Sequence, residues 1–112
     1  MRRSARRTPT RVHIGRMVKR IVKEFDPEQV ILFGSQARGD AGPDSDVDLL
    51  VVMDVAGSKL EKCLEIRGAL RDFPVPLDII ITRPGEFAWR KDVVGTIEWP
   101  ASREGKVLYA RG

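Results

Sequence analysis

Residues 34–48 read Gly-Ser-Gln-Ala-Arg-Gly-Asp-Ala-Gly-Pro-Asp-Ser-Asp-Val-Asp, and the reading of the whole chain turns on them. Gly34-Ser35 follows directly on the apolar run Val30-Ile31-Leu32-Phe33, and Asp46 and Asp48 open the next apolar run, Val47 to Met53. A Gly-Ser turn after a strand can present backbone N–H groups and a hydroxyl to phosphates. Carboxylates two residues apart on a strand point the same way and can share a divalent cation. A phosphate grip beside a metal grip implies a nucleoside triphosphate site.

Working outward, Ile14, Met17, Val18, Ile21, Val22 and Phe25 recur at helical spacing, which predicts a first helix capped by Thr10 and stopped by Asp26-Pro27. Val30–Phe33 reads as a buried strand, and Gln36-Ala37-Arg38 as a brief helix whose N-terminus adds its dipole to the turn. Gly39, Gly42, Pro43 and Asp44 then break regular structure before the strand Val47–Met53. Ser58 suits the cap of a further helix with Leu60, Cys63, Leu64, Leu70 and Phe73 as its buried stripe. After Pro74 and Pro76 a third strand runs from Leu77 to Thr82, carrying a single charge, Asp78. The tail predicts short helices near Glu86 to Asp92 and Val94 to Trp99, and a last strand over Lys106–Tyr109. This alternation predicts an α+β chain, a mixed sheet backed by helices.

The 112 residues suit one small domain, residues 10–112, with little surface for a separate substrate-binding unit. Residues 1–9 mix Arg, Ser, Thr and Pro without periodicity and predict a disordered basic arm, either solvated or in contact with an acidic partner or RNA. The net charge of +4 is uneven: residues 1–23 hold nine Arg or Lys and no acid, leaving eleven bases against sixteen acids elsewhere. The body is therefore acidic, and nucleic acid is expected only on the arm. No stretch is apolar enough to cross a bilayer, no secretory leader is legible, and a lone cysteine, Cys63, fits a reducing compartment, so a cytoplasmic protein is expected.

The spacing Gly-Ser, ten residues, Asp-x-Asp resembles the signature of the DNA polymerase β-like nucleotidyltransferase superfamily, in particular its minimal nucleotidyltransferase branch. The stretch Ser-Gln-Ala-Arg-Gly-Asp, the Ser45 before Asp46 and the ending Arg-Glu-Gly-Lys-Val-Leu-Tyr resemble that branch too, so the likeness spans residues 14 to 110. The resemblance implies a polymerase β palm-like fold. It implies triphosphate contacts from Gly34 and Ser35, with Ser45 beside them, and catalytic metal ligands at Asp46, Asp48 and Asp78. It also implies two magnesium ions, ATP as substrate, and transfer of AMP to a hydroxyl acceptor, a tyrosine of a HEPN-type toxin partner, in an antitoxin role.

Read on chemistry alone, Asp78 in an apolar strand needs a metal, a cation or a good set of hydrogen bonds. Arg38 either holds triphosphate charge as a bidentate donor or sits exposed on a solvated loop. Asp40 reads as a turn residue, Cys63 as a small buried hydrophobe, His13 as a surface group, and Trp89, Trp99 and Tyr109 as packing residues. Two rival functions stand beside protein adenylylation: a non-catalytic module that neutralises its partner by contact, and a transferase acting on a small hydroxylated molecule.

Overall fold

The computed structural model describes residues 8–42 and 45–111. The predicted arm thus lies mostly outside the described residues, as do Pro43 and Asp44 of the expected break. Among the described residues nine elements follow one another: α1 (Thr10–Phe25), β1 (Gln29–Phe33), α2 (Ser35–Arg38), β2 (Val47–Val52), α3 (Lys59–Ala69), β3 (Leu77–Thr82), α4 (Pro84–Arg90), α5 (Glu98–Glu104) and β4 (Lys106–Ala110).

The four strands lie in the order β3-β2-β1-β4, with β2 and β3 parallel and the other pairs antiparallel, so the sheet is mixed as expected. The parallel pair is joined through α3, the crossover such a pair requires. Alternate residues of each strand face opposite sides. Val30, Leu32, Val47, Leu49, Val51, Ile79 and Ile81 face α1 and α3, where Ile14, Met17, Ile21, Ile66 and Leu70 complete the larger core. Ile31, Phe33, Leu50 and Val52 face the other way and meet Ala101 of α5 and Phe87 of α4. Full burial of such a side chain stabilises by about 1.5–3 kcal/mol, so the apolar layers on both faces hold the sheet.

Several helix bounds shift for local reasons. Thr10 lies inside α1, because the Pro9 carbonyl accepts the amides of Val12 (3.0 Å) and His13 (3.3 Å) and so begins the helix one residue earlier. Asp26 ends α1 in the left-handed region at φ 49°, a conformation Asp tolerates better than most residues. Ser58 caps α3 as predicted, accepting from the Glu61 amide at 3.2 Å. The buried stripe of α3 is different, however: Cys63 and Ile66 turn inward, and Leu60 and Leu64 are exposed. Those two leucines lie on the helix face turned away from the sheet.

The tail also departs from expectation. The α4 helix starts at Pro84, where a missing N–H costs nothing, and the second tail helix begins only at Glu98 because Gly95 takes φ 101° and breaks the chain between them. His13 is half-buried edge-on to Phe73, centroids 6.0 Å apart, and is not the surface group the sequence suggested. The Cys63 thiol donates to the Ile79 carbonyl at 3.2 Å, and burial pushes its pKa up, consistent with a packing role. Trp89 is exposed and so packs on no core. Among the described residues no helix is long and apolar enough to cross a membrane.

Candidate active site

The described residues of the stretch 34–48 lie at one end of the sheet. At the C-terminal end of β1 the chain turns at Gly34, with φ 75° and ψ −157°, and enters the single turn of α2. The Gly34 carbonyl accepts the amides of Ala37 and Arg38, both at 3.1 Å, so the earlier amides of Ser35 and Gln36 stay at the open end of the turn. A side chain at Gly34 is doubly excluded. The positive φ disfavours any L residue, and a Cβ would overlap the Asp48 carboxylate, lying 3.2 Å from its Cγ.

Asp48 is therefore held against the Gly-Ser turn. It pairs in register with Phe33 of β1 on one side and with Asp78 of β3 on the other. Residues in register on neighbouring strands project to the same face, and the strands run about 4.8 Å apart. The shared face is that of Leu50, Val52 and Ile80, at the end where Asp46 and Asp78 are exposed. Asp46 lies two residues before Asp48, just ahead of β2, and is exposed. The strand start is pinned by the Val47 amide, which donates to the Pro76 carbonyl at 2.8 Å and so ties β2 to the loop leading into β3.

The electrostatics of this corner are unfavourable to charge. Partial burial raises the pKa of Asp48, and the neighbouring carboxylates of Asp78 and Asp46 raise it further, with Arg38 opposing them. A half-buried carboxylate set among like charges suits a divalent cation, so the donor set fits the metal that the sequence implied. As the side chains stand, no three His, Cys, Asp or Glu groups among the described residues form a ready metal cluster. One reason is visible: the Asp78 side chain leans to Arg67 of α3, with 3.6 Å between Nη1 and Oδ1. Asp78 is exposed, so the burial that would have demanded a partner for it is absent, and its pair with Arg67 is a loose surface one.

The remaining residues fall around this corner. The Ser35 hydroxyl has no protein partner among the described residues, whereas the Ser45 hydroxyl accepts from the Gly42 amide at 2.8 Å and closes the loop before Asp46. Gln36 fastens the same loop to α2, its Nε2 donating to the Ser45 carbonyl at 3.3 Å. Arg38 is half-exposed and reaches Asp40 at 3.3 Å and Glu104 at 3.9 Å, pairs too loose to hold it in place. Arg67 and Gln36 are the contributors that sequence reasoning missed. Gln36 lay inside the motif, but nothing in the sequence marks Arg67, whose partner lies beyond the end of its helix.

Residues 16–101 match the family model described as a nucleotidyltransferase domain. The chain belongs to this family. A candidate protein adenylyltransferase of Methanocaldococcus jannaschii is 32% identical over 83 residues, covering 73% of this chain and 78% of that protein. Among solved structures, a candidate nucleotidyltransferase from Sulfolobus solfataricus superposes with a TM-score of 0.62 at 24% identity, covering 89% of this chain and 79% of that one. A chain of the Shewanella oneidensis complex between a tri-AMPylated HEPN toxin and its MNT antitoxin superposes with a TM-score of 0.52 at 17% identity, covering 92% of this chain and 74% of that one. At such identities these structures speak for the fold. Family membership makes the chain a nucleotidyltransferase, and its mixed α+β sheet is that of the minimal nucleotidyltransferases.

Proposed function

We propose that residues 10–112 act as one unit, a magnesium-dependent adenylyltransferase that moves AMP from ATP to a protein hydroxyl. The acceptor we favour is a tyrosine of a HEPN-type toxin, which makes this chain the antitoxin of a pair working in the cytoplasm. The juxtaposition of Asp48 with Gly34 on one side and Asp78 on the other carries the reading. Support for the acceptor comes from the M. jannaschii relative, described as acting on protein, and from the S. oneidensis toxin, which carries AMP in complex with its antitoxin.

In this reading the amides of Ser35 and Gln36 and the Ser35 hydroxyl hold the triphosphate, and Arg38 adds charge from the rim. Asp46, Asp48 and Asp78 would hold the divalent cations, whose chemistry there would be to neutralise the leaving pyrophosphate and to acidify the attacking hydroxyl. The acceptor oxygen bonds to the α-phosphorus while the bond to the bridging oxygen of pyrophosphate breaks. Asp78, exposed on the edge strand β3, takes up the hydroxyl proton. Gly34 keeps the turn close enough to Asp48 for phosphate and acids to meet at one point.

The test is transfer of label from α-phosphate-labelled ATP to a co-expressed HEPN partner. Label should appear on the partner with the native chain and vanish with Asp46→Asn and with Asp48→Asn. Inhibition of the partner that survives both substitutions would replace this reading with neutralisation by contact. Pyrophosphate release supported only by small hydroxylated acceptors would replace the acceptor alone.

A further inference from the structure

An open groove of about 690 Å³ runs between α1 and β4, on the face of the sheet away from the three carboxylates. Its floor is apolar, built from Val18 and Val22 of α1, Leu32 of β1 and Leu108 of β4. Gly15 adds no side chain to the floor, and its Cβ position opens on free space. The rim is cationic: Arg11, Lys19, Lys23 and Lys106 surround the floor, all exposed. Among the described residues none of these four forms an ion pair, although nine pairs occur elsewhere.

An apolar trough rimmed by unpaired cations calls for a ligand with an apolar face and acidic flanks. From Arg11 to Lys23 the groove follows α1 for roughly 18 Å at 1.5 Å per residue, the length of about three helical turns. Such a trough receives an amphipathic helix through anchors at i, i+3, i+4 and i+7. Nucleic acid is a poorer match: the rim cations would meet phosphates, but the aliphatic floor of Val18, Val22, Leu32 and Leu108 leaves bases without hydrogen-bond partners. Residues 1–7 are a poorer match too, since they carry four arginines and no acid against a cationic rim.

We propose that the α1–β4 groove docks an acidic amphipathic helix of a partner protein. One end of the groove is lined by Gln36, next to Ser35 in the nucleotide-binding turn, so a helix seated there brings the rest of its protein to the edge of the transfer site. That link to transfer rests on the proposed function, whereas docking does not.

The probe is a fluorescent peptide of about fourteen residues with leucines at i, i+3, i+4 and i+7 and glutamates on both flanks, titrated by anisotropy into the full chain. Saturable binding is expected. It should weaken at least about tenfold in the double variant Lys19→Glu, Lys23→Glu and in Gly15→Trp, which fills the trough, with binding of Mg-ATP unchanged in both. A peptide with lysines replacing its glutamates should bind the charge-reversed variant and restore the loss. The proposal is overturned if a scrambled peptide or a single-stranded oligonucleotide of equal charge binds as tightly. It is also overturned if binding appears only after removal of residues 1–7, or if the variants alter self-association and leave peptide binding intact. Peptide binding without AMP transfer defeats the proposed function alone; transfer without peptide binding defeats the groove alone.

Discussion

The two ends of one sheet face both carry carboxylates, and they treat them in opposite ways. At the end covered by α5, Glu98 is buried, and its Oε2 accepts from the Thr82 hydroxyl at 2.8 Å and from Arg90 Nε at 3.0 Å, although its Oε1 has no partner among the described residues. At the open end, Asp48 has acids as its neighbours in Asp46 and Asp78, and its pKa rises. An acid provided with donors holds a structure together, while an acid crowded by like charge stores an unfavourable interaction that a ligand can relieve. The first end is built for stability and the second for binding.

That contrast can be broken most visibly at Asp48. Asp48→Asn should lower AMP transfer about a thousandfold, by loss of a charge that develops its value only with cation and phosphate present. In metal-free buffer the same variant should be more stable than the native chain, by on the order of 1 kcal/mol, which thermal unfolding will show. The pH dependence has a definite sign. A carboxyl whose pKa is raised by folding binds protons more tightly when folded, so the stability advantage of Asp48→Asn should shrink as pH falls through the raised range of Asp48.

Glu98→Ala should do the reverse. It strands Arg90 and Thr82 and should cost about 2–3 kcal/mol in denaturant unfolding, with transfer per folded molecule nearly unchanged. Gly34→Ala joins the two ends of the comparison, since it strains the backbone and displaces Asp48 together. A stability loss of about 1–2 kcal/mol with a larger loss of transfer is expected. The smallest effect belongs to Gly15→Ala, in the middle of α1 with open space at its Cβ. It should add about 0.5–1 kcal/mol in thermal unfolding.

Much of the open end was legible in sequence because its signals are local. The Gly34–Asp48 spacing, the strand periods around it and the isolated charge of Asp78 mark out three acids and a turn, whereas their meeting was implied only by the family resemblance; β3 was read to the residue. The illegible parts depend on tertiary packing. Leu60 and Leu64 looked buried until the sheet chose the other face of α3, and the pairing of Asp78 with Arg67 exists only because α3 crosses beside β3. Glu98 gave no hint of burial, since its partners Thr82 and Arg90 are brought to it by the break at Gly95. The start of α1 was misplaced by two signals one residue apart, Pro9 and Thr10, of which the proline carbonyl prevailed.

The central claim is that Asp46, Asp48 and Asp78 converge on cation and triphosphate beside Gly34-Ser35. A crystal structure with magnesium and a non-hydrolysable ATP analogue tests it most directly. The triphosphate should lie on the Gly34-Ser35 turn, with a cation shared by the three acids and Asp78 drawn away from Arg67. Nucleotide bound elsewhere, or Asp78 still paired with Arg67 while Asp46 and Asp48 hold the cation without it, would contradict it.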